Sequence, residues 1–351
     1  MTLQVNTNMG SYPIVIERGG LSCAAEIMAI GGRRICIVTD TGVPAAYADV
    51  IAAQCESPAL FRFEAGEAHK TMETLTELLA FLLQRGFDRK DAIVAVGGGV
   101  ITDLAGFAAA VYMRGIDFYN VPTTLLSMVD ASVGGKTAVD FEGYKNMIGA
   151  FWQPKAVLID PETLNTLPRR RLSDGLAEVV KMAATSDAPL FEMLEQADLL
   201  PSEGEGLSRE IDDIIARALA IKIAVVESDV REQGARRVLN FGHTLGHAVE
   251  SLSEGGRYHG ECVALGMIPM CEGEVRERLI PLLVKCGLPT SLDTLPERQA
   301  LLRAIGHDKK AQGEEICSVT VPCVGQYQLQ MKAADALVDA LHACFSGKDT
   351  I

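Results

Sequence analysis

Through residues 1–160, short apolar, β-branched runs alternate with helix-length amphipathic stretches, and this alternation restricts the fold more than any other feature of the chain. After Arg34 comes ICIVTD, then a helical pattern near 44–53, then ALFRFEAGE at 59–67, METLTELLAFLLQRG at 72–86 and DAIVAVGGG at 91–99. Strand, helix and strand in succession predict a mainly parallel sheet covered by helices. From about residue 168 the pattern becomes long amphipathic helices, at 172–185, 208–228 and 241–252, with one late hairpin-like segment, EEICSVTVPCVGQYQLQM. We expect an α/β, Rossmann-like parallel-sheet domain over residues 1–165 and a mostly α-helical domain over 166–351, joined near DPETLNTLP.

A length of 351 residues with 48% hydrophobic content can bury two cores. The net charge of −14 argues against nucleic acid or an anionic membrane as partner, since both reward a positive surface. Any anionic substrate must therefore meet locally concentrated lysines and arginines. The nine cysteines are odd in number, scattered and never in a C-x-x-C pair, which suggests neither a disulfide framework nor a thiolate metal site. The first twenty residues lack a basic start with an apolar core, and the apolar stretch at 92–113 is broken by glycines and Asp103. The expectation is a cytoplasmic protein.

GGGVITD at 97–103 ends an apolar strand and opens a helix, where free amides and the helix dipole favour a phosphate. A tight strand-to-helix turn with no ligand would look similar, because the full G-x-G-x-x-G pattern is absent. Asp40, at the end of ICIVTD, is the acidic residue expected on an adenosine ribose, and VPTTLL at 121–126 adds paired hydroxyls after another strand. Together these favour a dinucleotide site.

NFGHTLGHAVE at 240–250 places Asn240, His243 and His247 on one helical face. His243 and His247 can share a metal at i and i+4, but His243 can equally pair with His259. Glu178, in the apolar helix around LAEVVK, is a carboxylate candidate for the third ligand, since burying it alone is costly. The stripe of Ile211, Ile215, Ala218, Lys222 and Val225 sets Lys222 among apolar neighbours, either snorkelling to water or meeting a buried anion. Lys136, Lys145, Lys181, Lys309 and Lys310 add cations near glycines or apolar runs; VGGKT lacks P-loop spacing, and no H-E-x-x-H is present. The residues point to a metal- and dinucleotide-dependent enzyme acting on an anionic polyol.

Several long blocks resemble the 3-dehydroquinate synthases of the sugar-phosphate cyclase superfamily: GGGVITDLAGFAAAVYMRG, VPTTLLSMVDASVGGKTAVD, GYKNMIGAFWQP, GLAEVVK, and NFGHTLGHAVE followed by HGE, in order across about residues 60–330. The resemblance implies a metal site of Glu178, His243 and His259, holding zinc or alternatively cobalt, with His247 left for proton transfer. It implies NAD contacts from Asp40, Glu67, Lys70, Gly98, Gly99, Val100, Asp103, Thr123, Thr124, Leu126, Asp130, Lys145 and Thr166. Substrate contacts would fall on Asp130, Lys136, Asn146, Lys181, Lys222, Glu232, Arg236, Asn240, His247 and one of Lys309 or Lys310. Arg114 would reach the phosphate, in one version from a partner subunit of a homodimer. The implied chemistry takes a seven-carbon sugar-acid phosphate through transient oxidation, phosphate β-elimination, reduction and aldol closure, a step towards aromatic amino acids. Gly42, Arg171 and a short stretch between Gly266 and Leu288 depart from the family pattern, the first two on the cofactor side. The competing expectations are another cyclase of the superfamily, a polyol dehydrogenase that releases NADH, or a catalytically inactive NAD-binding regulator.

Overall fold

The computed structural model describes residues 1–201, 206–231, 234–253, 255–306, 311–312 and 315–346. The chain divides into two compact units, Met1–Pro168 with Lys222–Val230, and Arg169–Ile221 with Arg231–Ile351.

The first unit is built on a seven-stranded sheet. Its strands are β1 (Thr2–Thr7), β2 (Gly10–Ile16), β3 (Ile35–Asp40), β4 (Pro58–Phe63), β5 (Ala92–Gly97), β6 (Asp117–Pro122) and β9 (Val157–Ile159), in the order β1-β2-β9-β6-β5-β3-β4. Only β1 and β2 run antiparallel; every other neighbouring pair is parallel. Helices α1 (Ala24–Ile27), α2 (Ala45–Ala52), α3 (Met72–Gln84) and α4 (Gly99–Val111) connect them. Ile35, Ile37, Val94 and Val96 enter one core, whereas Cys36, Val38, Ile93 and Ala95 enter the other. Burial on both faces explains why ICIV and AIVAV read as continuous apolar runs instead of alternating ones.

From β3 the chain crosses to β4 at one edge and then returns to β5 on the opposite side of β3. The crossovers diverge there, so the C-terminal ends of β3 and β5, Asp40 and Gly97, flank the crevice where open α/β sheets bind ligands. A hairpin of β7 (Lys136–Phe141) and β8 (Tyr144–Phe151), not anticipated from sequence, packs on α4. Gly106 permits that approach, since a Cβ there would lie 2.4 Å from Thr137 Cγ2.

The second unit contains α5 (Arg169–Ser186), α6 (Ala188–Gln196), the first part of α7 (Glu210–Ser228), α8 (His243–Leu252), α9 (His259–Met267), α10 (Gly273–Lys285), α11 (Arg298–Gly306) and α12 (Ala334–Ser346). A small antiparallel sheet of β10 (Ala311–Gln312), β11 (Glu315–Cys323) and β12 (Gln326–Ala333) contains the expected late hairpin. Among the described residues no helix is long and apolar enough to cross a membrane.

One local expectation is corrected. Asn240 does not share a helix with His243 and His247: it ends a 3-10 segment, Ala235–Asn240, and α8 starts only at His243. The break is Gly242, at φ 76, a left-handed conformation that a β-carbon disfavours. A Cβ there would also sit 2.7 Å from the carbonyl oxygen of Val263.

Candidate active site

In the second unit, α5, α8 and α9 bring together an acidic and an imidazole cluster. Glu178 is 1% exposed, in the middle of an almost wholly buried α5. His243 opens α8 and His259 opens α9. The Nε2 atoms of both approach the same Glu178 oxygen, Oε1, at 3.4 and 3.5 Å. Three donors bound at about 2.0–2.2 Å to a tetrahedral ion stand roughly 3.3–3.5 Å apart, so this spacing fits one divalent cation with a fourth position for substrate or water.

The supporting contacts agree with that use. His243 Nδ1 lies 3.1 Å from the Phe241 carbonyl, and His259 Nδ1 lies 3.0 Å from Glu250 Oε2. Donating the Nδ1 proton to an oxygen leaves Nε2 as the lone-pair donor towards an ion. Both Glu178 oxygens are buried without a well-aligned hydrogen-bond donor among the described residues, although Lys181, 2% exposed, ion-pairs with Oε2. Burial would raise the Glu178 carboxyl, but Lys181 and His243 hold it well below the usual range. Burial, followed by the charge of Lys181, lowers His243. Burial also opposes charge on His259, but Glu178 and Glu250 overcome it and push this imidazole up to about 10.

His247 belongs to the same cluster. Donor atoms of His243, His247 and His259 lie within 4.8 Å of one another, and the His247 ring centroid is 5.2 Å from that of His243 and 5.6 Å from that of His259. Two donor sets therefore overlap, and the convergence of both Nε2 atoms on Glu178 Oε1 favours the set containing the carboxylate. Arg236, 2% exposed, and half-buried Asn240 lie on the 3-10 segment ahead of α8. Glu232, Lys309 and Lys310 lie outside the described residues.

The first unit gathers the residues expected around a dinucleotide. Asp40 Oδ1 accepts the amides of Gly42 at 2.8 Å and Val43 at 3.2 Å, which fixes the turn after β3. A Cβ at Gly42, one of the departures from the family pattern, would stand 3.0 Å from Ala65 Cβ and 3.3 Å from Asp40 Oδ1. Gly97 has φ 154, and its neighbour Gly98 caps α4 with no side chain; Gly99 and Val100 begin the helix. The Thr123 amide donates to the Gly97 carbonyl at 3.0 Å, and Thr124 Oγ1 receives the Ser127 amide at 3.2 Å. Leu126 caps a π-helical turn, Ser127–Ala131, whose Asp130 hydrogen-bonds Lys222. Lys222 is thus held by an anion instead of snorkelling.

Lys70, 3% exposed, donates to Asp103 Oδ2 at 2.6 Å and to Asn146 Oδ1 at 2.5 Å, with Glu67 at 3.8 Å. Burial raises the Asp103 carboxyl to about 6 despite Lys70, whereas Lys70 itself is raised because Asp103 and Glu67 outweigh its burial. Thr166 stands apart from this group, 2.8 Å from the Tyr47 hydroxyl. Three further expected cations are exposed to solvent. Lys145 is exposed on β8, Lys136 is exposed at the start of β7 opposite Phe151, and exposed Arg114 follows the far end of α4, about 20 Å from the glycine turn by helical rise.

Sequence reasoning missed the polar contacts behind the ligands. Asp174 Oδ1 accepts the Gly260 amide at 2.6 Å, and Arg170 binds Glu261 through Nε and Nη2 at 2.6 and 2.8 Å. The available signal was polar residues on a helical stripe otherwise apolar. Arg171, expected on the cofactor side, instead lies against the Tyr258 ring.

A mainly parallel α/β sheet followed by a helical second unit defines a fold class, and solved structures share that fold. The chain superposes on a 2-deoxy-scyllo-inosose synthase solved with carbaglucose-6-phosphate, NAD+ and Co2+ at TM-score 0.87, 24% identity, covering 98% of this chain and 100% of that one. It matches a 2-epi-5-epi-valiolone synthase from Streptomyces hygroscopicus subsp. jinggangensis 5008, with NAD+ and Zn2+ bound, at 0.85, 26% identity, and 98% and 99% coverage. A glycerol dehydrogenase from Schizosaccharomyces pombe matches at 0.69, with 16% identity and coverage of 95% and 88%. Within the class, the 3-dehydroquinate synthase N-terminal model matches residues 60–174 and the C-terminal model residues 175–311. A 3-dehydroquinate synthase of Latilactobacillus sakei subsp. sakei (strain 23K) is 41% identical over 336 residues, 93% of each chain, and one of Streptococcus mutans serotype c is 38% identical over 97% of this chain and 99% of that one. The chain belongs to the 3-dehydroquinate synthase family.

Two predictions follow from the geometry. His259→Ala should lose bound metal on gel filtration, as read by atomic emission, whereas His247→Ala should keep it. Asp103 should lose its proton near pH 6 in the folded protein and near its ordinary value of 3.8 when unfolded. Between these values the native state binds more protons, so the group's contribution to stability falls as pH rises from about 4 to about 6. The unfolding free energy of wild type minus that of Asp103→Asn, from urea titrations, should decline across that window; a rise would contradict the assignment.

Proposed function

We propose that this chain is a 3-dehydroquinate synthase, converting 3-deoxy-D-arabino-heptulosonate 7-phosphate to 3-dehydroquinate and phosphate, and that it works with NAD and a divalent ion, zinc or alternatively cobalt, in the shikimate pathway. The observation that carries the reading is the approach of His243 and His259 to one buried Glu178 oxygen, in a chain of this family. The related structures solved with NAD+ and with Zn2+ or Co2+ support the cofactor assignment. When bound, the ion supplies Lewis acidity to a substrate hydroxyl, and NAD+ accepts a hydride and gives it back, leaving no net oxidation.

The chain's own residues do the remaining work. Glu178, His243 and His259 hold the ion. His247, in the same imidazole cluster, takes the hydroxyl proton. Arg236 and Asn240 bind the carboxylate and hydroxyls, with Lys181 balancing the charge of Glu178. Lys136 and Arg114 offset the charge of the departing phosphate. Residues 97–100, with Thr123 and Thr124, offer amides and hydroxyls to the pyrophosphate, and Asp40 to the ribose. Lys70 orders Asp103 and Asn146 beside them.

The enzyme acts as a cytoplasmic homodimer in this reading. Nine free thiols suit a reducing compartment. Leu79, Leu83, Val111 and Met113 line an apolar groove beside Arg114, with Leu83 71% exposed, and Met113 and Arg114 both adopt positive φ. A second copy seated on this groove would cover it and receive Arg114 at its phosphate site. Mixing an Arg114→Ala chain with a His247→Ala chain, each inactive alone, tests this. Random reassortment restores about a quarter of the sites if Arg114 acts across the interface and none if it acts within its own chain.

The activity test follows phosphate release from 3-deoxy-D-arabino-heptulosonate 7-phosphate with trace NAD+ and zinc, alongside NADH absorbance. Many phosphates per NAD+ without NADH accumulation is the expected result. Stoichiometric NADH without phosphate would establish a polyol dehydrogenase, and turnover only of phosphates lacking the carboxylate would establish another cyclase.

A further inference from the structure

Helix α5 carries Arg171, Asp174, Glu178 and Lys181 at i, i+3, i+7 and i+10, a spacing that aligns them on one stripe. Glu178 Oε1 meets the two imidazoles, and Lys181 pairs with Oε2 of the same carboxylate. The other two reach the start of α9, where the contacts exceed what capping a helix requires. Asp174 receives the Gly260 amide at 2.6 Å. The guanidinium carbons of Arg170 and Arg171 each stand 4.1 Å from the centre of the Tyr258 ring. Arg170 also grips Glu261, and Glu261 Oε2 receives the Tyr258 amide at 2.9 Å. Tyr258 is the N-cap of α9, and the next residue is His259. The residue before the ligand is therefore held through both its ring and its main chain.

We propose that Arg171, together with Arg170, is a positioning residue for the metal centre: by holding the Tyr258 ring against α5, it sets where His259 Nε2 meets Glu178. The inference rests on the assignment of Glu178 and His259 as ligands. One rigid helix bears both the clamp and the carboxylate ligand, seven residues or about 10 Å apart, so the clamp fixes α9 relative to Glu178 directly. Glu250 orients the His259 ring through Nδ1, and the clamp sets where that ring stands; the two constraints are separate. A planar guanidinium can lie against the ring and still hydrogen-bond in its own plane, which a lysine ammonium cannot do.

Cobalt affinity, measured by competition with a chromophoric chelator, and the visible spectrum of the cobalt-loaded protein test this on the full chain. Arg171 is exposed, so Arg171→Ala should fold, as far-UV circular dichroism will verify. Arg171→Ala and Tyr258→Leu should each weaken cobalt binding about tenfold and alter the ligand-field bands. The double variant should be no worse than the weaker single, because both remove one clamp. Arg171→Lys should behave as Arg171→Ala does. Unchanged affinity and spectrum in Arg171→Ala, or fully additive losses in the double variant, would overturn the proposal. His259→Ala is measured in parallel: wild-type cobalt affinity there would refute the ligand assignment itself, a result distinct from failure of the clamp.

Discussion

A carboxylate at 1% exposure in the middle of a helix is the constraint to which the second unit answers. Removing such a charge from water costs several kcal/mol unless partners replace the solvent. Glu178 receives that compensation from Lys181 on its own helix and from two imidazoles that enter at the first residues of α8 and α9. Their entry requires backbones in near contact. A Cβ on Gly266 would fall 2.0 Å from the Gly242 carbonyl oxygen, and one on Gly260 would fall 2.2 Å from that of Asp174. The glycines of α8 and α9 are consequences of the same demand that buries Glu178.

The first unit solves a different problem by leaving backbone polar groups accessible. Continuous apolar strands fill both faces of its sheet, and divergence of the crossovers beside β3 leaves a crevice at Asp40 and Gly97. Gly98 caps α4 without a side chain, so nothing of its own occupies the helix N-terminus. Behind it, Lys70 ties together α4 and the β7–β8 hairpin through Asp103 and Asn146.

Much of this was legible in the sequence because it depends on period. The runs ICIV and AIVAV can only be buried on both faces, and a glutamate within LAEVVK can only be buried with partners. What period does not encode was lost. Spacing grouped Asn240 with His243, because no periodic pattern reveals that Gly242 turns left-handed. Spacing also left His247 and His259 as alternatives for His243, since a ligand on another helix has no fixed sequence offset. Arg171 looked like a departure at a cofactor site because its partner, Tyr258, lies 87 positions onward. The β7–β8 hairpin was hidden among glycines and lysines that read as a binding loop.

X-ray absorption on the cobalt- or zinc-loaded protein tests the central claim, that one ion joins Glu178, His243 and His259, most directly. The account predicts scattering from two imidazoles and at least one further oxygen at about 2.0–2.2 Å, with loss of an oxygen shell in Glu178→Ala and no change in the imidazole count in His247→Ala. Three imidazoles in the wild type, falling to two in His247→Ala, would contradict it and move the ion onto the histidine cluster alone.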